Sequence, residues 1–161
     1  MKRCILTGVL AAAAALGTGS NPLGSLICSG TVQFNRVRML AVGVYSWSVL
    51  PGDEILTEES PATLLFADKS RVFLDRDTRV RIQADGKAIS VAVEQGSLRY
   101  SRMPGSPVRI RTGESQGPDK ACGSVAVQRG KATWSAGCAT SHPGDRATPP
   151  IPPSLGMHRP K

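Results

Sequence analysis

Between Leu50 and Ile82 the chain reads LPGDEILTEESPATLLFADKSRVFLDRDTRVRI, a series of short apolar-polar runs, each closed by a charged or Pro/Gly corner. Period-two alternation sends successive side chains to opposite faces, which suits a half-buried strand and not a helix. The same pattern continues on both sides of this stretch. Thr31–Phe34 puts Val32 and Phe34 on one face, and Val44–Leu50 puts Tyr45, Trp47 and Val49 on one face, as candidate core. Thr63–Phe66 is apolar enough to be buried on both faces, and Arg71–Leu74 and Arg79–Ile82 follow. Ala88–Glu94, Ser97–Tyr100 and Val108–Arg111 alternate again. Pro51-Gly52 fits the centre of a type II turn, Asp85-Gly86 marks a tight hairpin, and Gly96 and Gly105 mark further turns. Short strands recurring about every ten residues predict an all-β fold, a small antiparallel β-sandwich or a short β-helical roll.

The ends of the chain read differently. Lys2 and Arg3 precede an uncharged apolar run from Cys4 to Leu16, and small residues follow to Ser20. A basic start, a short apolar core and a small-residue end predict that residues 1–20 are a secretory signal peptide. The run is shorter than the roughly 20 residues a membrane span requires. The expected location is therefore exported, periplasmic or secreted in a bacterium. Ser29–Gly113 forms the main β unit, and residues 114–138 form a linker and a C-terminal hairpin. The tail 139–161, with Pro149-Pro150 and Pro152-Pro153, has too little apolar content to pack and is expected to be disordered.

Three of the four cysteines, Cys28, Cys122 and Cys138, lie beyond the leader. In an oxidising compartment a disulfide is a natural use for them. Cys122 and Cys138 stand symmetrically about Gly130, so a hairpin turning at Arg129-Gly130-Lys131 sets them opposite each other and sets Trp134 opposite Ala126. This predicts the bond Cys122–Cys138. Cys28 is then a free thiol or a link to a second chain. A three-cysteine metal site is disfavoured by the remoteness of Cys28 and the lack of a Cys-x-x-Cys pair.

The net charge is +8, spread along the chain, and Ser29–Gly113 carries twelve basic and nine acidic residues. Arg79, Arg81, Arg99, Arg109 and Arg111 fall on the polar phase of their strands and form a candidate basic binding face, suited to an anionic envelope polysaccharide or an acidic protein surface. Nucleic acid is not the expected partner, because a single-strand binder interleaves aromatic residues and this chain has few. The only histidines, His142 and His158, sit in the Pro-rich tail, so no nucleophile has a folded histidine near it. The acidic pairs Asp53/Glu54, Glu58/Glu59 and Asp75/Asp77 fall in turn-rich positions. No enzymatic activity, cofactor or metal is expected, with a hydrolase using paired carboxylates as the weaker alternative.

One set of residues resembles a known family. Leu50, Gly52, Asp53, Ile55 and Thr57 match a pattern L-x-x-G-D-x-I-x-T. Ala62, Leu64, Phe66, Asp68 and Ser70 match A-x-L-x-F-x-D-G-S, with Lys69 in place of the glycine; Val72, Leu74, Gly96 and Leu98 complete the set. Over more than half the chain this resembles the extracytoplasmic domain of the FecR family of iron-transport regulators. The resemblance implies structural roles for these residues, none of them catalytic. It further implies an exported β domain that acts as a binding or scaffold module in the cell envelope, or as an accessory to extracytoplasmic signalling.

Overall fold

The computed structural model describes residues 21–113 and 115–138. The leader 1–20 and the tail 139–161 lie outside the described residues. Eleven strands follow one another: β1 (Gly24–Phe34), β2 (Val37–Val49), β3 (Glu54–Thr57), β4 (Ala62–Phe66), β5 (Arg71–Leu74), β6 (Arg79–Asp85), β7 (Ala88–Ser101), β8 (Val108–Thr112), β9 (Ser115–Gln116), β10 (Cys122–Gln128) and β11 (Lys131–Ala136). The expected all-β class is what the structure shows. β1 pairs with β4, β4 with β5, β5 with β7, β7 with β6, β6 with β3 and β3 with β1, closing a six-stranded antiparallel barrel. The choice between sandwich and roll thus resolves as a closed ring, with β2 laid along β1 and with β8 and β10 laid along β7.

Two long strands make the closure possible, because each serves both halves of the ring. The first part of β1 pairs with β4 and its last part with β3. β7 pairs with β6 up to Gln95 and with β5 from Leu98 onward. Chain length shows how sharply β7 must bend. β8 runs parallel to β7, with Val108 beside Ile89, although only residues 102–107 connect it to Ser101. Such a connection reaches about 25 Å at full extension, whereas a straight strand from Ile89 to Ser101 would measure about 40 Å. The bend falls at Gly96 (φ +87°), which the sequence suggested as a turn and which instead lies inside a continuous strand. The buried phase slips there by one residue: Val91 and Val93 point inward before it, Leu98 and Tyr100 after it.

The barrel interior is one apolar cluster. Leu26, Val32, Ile55, Leu74, Val80, Ile82 and Leu98 are fully buried within it. Cys28 belongs to the same cluster as a free thiol, so it packs as a small apolar side chain out of reach of a second chain, and burial pushes its pKa up.

Several local expectations shift by a residue or a face. β1 begins at Gly24 and β2 at Val37, both earlier than their alternating cores suggest. β4 is buried on one face only, with Thr63 and Leu65 half-buried. The β6–β7 hairpin turns on Gly86-Lys87, since Asp85 pairs with Ala88. Gly52 (φ +95°) takes the position that a type II turn reserves for glycine. Lys69 adopts φ +69°, accepting a cost of about 1 kcal/mol where glycine would have none. Tyr45 and Trp47 do keep to the core-side phase, opposite Cys28 and Leu26. Because β2 lies outside the ring, its cover runs out along its length. Val49 is fully buried, Trp47 half-buried and Tyr45 49% exposed.

The Cys122–Cys138 disulfide is formed, with Cα atoms 5.2 Å apart. The hairpin register differs from the expected one. Gln128 pairs with Lys131 around a two-residue turn, so Trp134 faces Val125 and not Ala126. Cys138 lies beyond the last pair, Gly123–Ala136, and meets Cys122 after Gly137 (φ +151°). Nor is the segment before this hairpin a loose linker. Arg102 grips the Lys120 carbonyl from Nε (3.1 Å) and Nη2 (2.7 Å), the Val108 carbonyl (2.9 Å) and Asp119 (2.6 Å).

Candidate functional site

The residues of the family-like pattern build corners and core. Asp53 is buried at the β2–β3 turn, where Oδ2 accepts from the Leu50 amide (2.6 Å) and Oδ1 from the Asn35 side chain (2.8 Å). The same Asn35 accepts the Glu54 amide (2.8 Å), so two turns are locked together. Thr57, fully buried, accepts the Thr78 amide (2.9 Å) and donates to the Asp75 carbonyl (2.5 Å), tying β3 to the turn between β5 and β6. Leu64, Phe66, Ile55 and Leu98 fill the barrel; Leu50 is half-buried at its rim.

Asp68 organises a latch between distant loops. Its carboxylate accepts the Ser70 amide (3.0 Å) and hydroxyl (2.8 Å), and the buried Ser70 and Ser106 hydroxyls lie 2.9 Å apart. Ser70 Oγ accepts the Met103 amide (3.0 Å), which fixes the β7–β8 loop onto the β4–β5 turn. Burial pushes the Asp68 carboxyl up, but hydrogen bonds from Ser106, Ser70 and neighbouring amides outweigh it, and the net position is below the usual carboxylate value. A depressed folded value stabilises the fold above the unfolded value near 3.9 and is lost as pH falls through the folded one. The thermal midpoint of wild type should therefore exceed that of Asp68→Asn at pH 6, and the gap should close below about pH 4. A gap that stays constant from pH 6 to pH 2 would refute the ionised latch.

Of the five candidate arginines, the structure gathers four. Glu54, Arg81, Ala92 and Arg111 form one cross-strand row over β3, β6, β7 and β8. Arg79 and Arg109 stand on the same outer face, in adjacent rows. Arg99 lies beyond the Gly96 bend, on the outside of the other half, over the Phe73 ring at 5.8 Å. The face is largely charge-compensated. Glu54 meets Arg79 at 2.9 Å and Arg81 at 3.4 Å, Glu94 meets Arg81 at 3.3 Å, and Asp119 meets Arg109 at 3.6 Å. Exposed pairs of this kind contribute about 0–1 kcal/mol each, yet they leave Arg111 as the one candidate without a carboxylate partner among the described residues. The acidic pairs are similarly engaged: Glu58 binds Arg38 and Gln33, and Asp75 binds Ser97 and Arg99.

Two features had no sequence signal. Arg102, Ser106 and Asp119 act through contacts between loops, which alternation does not report. The second is the exposure of β2. Among the described residues this strand pairs only with β1, and Val37 (63% exposed), Leu40 (71%) and Tyr45 (49%) stand exposed along it, with Tyr45 stacked on Trp47 at 6.1 Å. No group of three or more His, Cys, Asp or Glu positioned to hold a metal occurs among the described residues, and no helix there is long and apolar enough to cross a membrane. Comparison of the chain with family models, curated proteins and solved structures finds no match.

Proposed function

We propose that this chain is an exported, non-enzymatic, FecR-like binding module of the cell envelope that docks an extended segment of another envelope protein along the free edge of β2. The observation that carries the reading is that edge itself. Natural edge strands are guarded by lysines, prolines, shortness, bulges or cover, and of these β2 carries only the bulge between Ala41 and Tyr45. β2 is long, and between Leu40 and Leu50 it contains no charged residue. An added strand would satisfy its unpaired backbone groups, while Val37, Leu40 and Tyr45 would bury against alternate side chains of the partner. Arg36, exposed at the β1–β2 turn, favours an acidic residue at the matching end of that segment. The charge compensation of the arginine face supports placing the partner here and not there. A module of this type would serve equally as an accessory to extracytoplasmic signalling.

Photo-crosslinking in the cell envelope tests this directly. A photoreactive residue at Leu40 or Tyr45 should give one discrete protein adduct, and the same residue at Gln83, on the outside of β6, should give none. Equal adducts at all three positions, or none at Leu40 and Tyr45, would reject the β2 edge as the docking site.

A further inference from the structure

We propose a second site: the cleft between the β5–β6 turn and the β10–β11 turn binds an acidic saccharide, a segment bearing uronate carboxylates. The site is separate from β2, and the inference stands independently of the reading above. The cleft is a shallow depression open to solvent, with a volume of about 690 Å³. Arg76 enters it from one turn and Arg129 from the other. Neither has a carboxylate within ion-pair distance among the described residues, in contrast to Arg79, Arg81 and Arg109. A guanidinium presents a planar fork that matches a carboxylate at two points. The same cleft holds Asp77, Glu94, Gln95 and Gln128, whose oxygens accept hydrogen bonds from hydroxyl groups. Gly130, where a side chain would meet only open space, keeps part of the wall low, so a ring can lie against backbone. Two cations beside several acceptors suit a ligand with one carboxylate and several hydroxyls per unit. A phosphodiester chain lacking hydroxyls would leave the acceptors of Asp77, Gln95 and Gln128 without a donor.

The backbone of Arg129 adds an independent mark. It is the first of two central residues in the turn between Gln128 and Lys131, at φ +49°, with Gly130 at +76°. Turns with both central residues at positive φ favour Asn, Asp or Gly in the first place. Arginine there occupies a conformation that asparagine would hold more easily, so side-chain function and backbone preference pull in opposite directions.

Calorimetric titration of the full chain at low salt with a galacturonate tetramer, and with a neutral galactose tetramer as control, tests the site. The uronate tetramer should bind, and the neutral one should bind at least about tenfold more weakly, as should the uronate to Arg76→Gln. Arg129→Asn should weaken uronate binding by a similar factor while raising the thermal midpoint. Failure of the uronate tetramer to bind, equal affinity for the neutral tetramer, or wild-type affinity in either variant would overturn the proposal. A rise in midpoint with binding intact would likewise reduce Arg129 to a turn residue.

Discussion

Replacing Gly96 by alanine is expected to destabilise the protein by roughly 2–4 kcal/mol, from left-handed strain and overpacking together. Gly96 sits where β7 changes partners, at φ +87°, so any side chain there is strained whatever the space. Space is absent as well. A methyl group at Gly96 would lie 2.6 Å from Thr78 Cα and 2.7 Å from the Asp77 carbonyl oxygen, backbone atoms that cannot turn aside. Thr78 cannot retreat either, since its hydroxyl donates to the Ser97 carbonyl and accepts the Ser97 amide, and its own amide is held by Thr57. Gly105 supplies the control: its φ is +73°, but a methyl there would meet nothing. Gly105→Ala should thus cost about 1 kcal/mol, the conformational part alone. Denaturant unfolding of the two variants separates strain from crowding. If both lose the same stability, the close approach at the β7 bend is not what shapes the barrel.

Loss of the Cys122–Cys138 bond is the second large effect. The bond closes a loop of sequence separation 16, for which the chain-entropy account gives about 3 kcal/mol. That is a large share of the 5–15 kcal/mol typical of a whole domain. The double variant Cys122→Ser/Cys138→Ser should lower the thermal midpoint by roughly 10 °C, and reductant should lower wild type by the same amount. The loss should begin at β11, which among the described strands pairs only with β10 and keeps Trp134 half-buried against Gly117. Coincident melting curves for oxidised and reduced protein would show that strand pairing alone holds the hairpin. Cys28 is no substitute partner, because it is sealed in the barrel.

The parts legible in the sequence are those fixed by local alternation and by turn chemistry. Arg71–Leu74 is β5 to the residue, and Gly52, Asp53 and Asp68 take corner positions consistent with their residue types. The Cys122–Cys138 pair was legible too, even though the register around it was one residue off. A three-residue turn and the observed two-residue turn bring the same cysteines within reach, and only Trp134 distinguishes them. What was hidden depends on tertiary neighbours. The segment around Gly96 has the composition of a turn, and only the partners β5 and β6 make it a bend in one strand. Tyr45 alternates like a core residue, but alternation reports which side a residue faces and not whether anything lies opposite. Of the basic face, Arg99 is separated from the rest by that same bend, and strand phase alone could not reveal it.

The way β1 and β7 each serve both halves of the barrel has a consequence for how the molecule comes apart. A sheet with private strands can open while its neighbour stays shut. Here neither half owns its two outermost strands, so opening one strips the other of its boundary, and the six-stranded ring has to form and dissolve as a single cooperative unit. Independent opening is left to the appendages: β2 on one flank, and the disulfide-clasped β11 on the other. The β2 flank carries the proposed protein-docking edge, and the loop into β11 carries Arg129. The protein-docking edge and the Arg129 side of the cleft therefore sit where the chain can yield to a partner, while Arg76 holds the other side of the cleft on the ring itself.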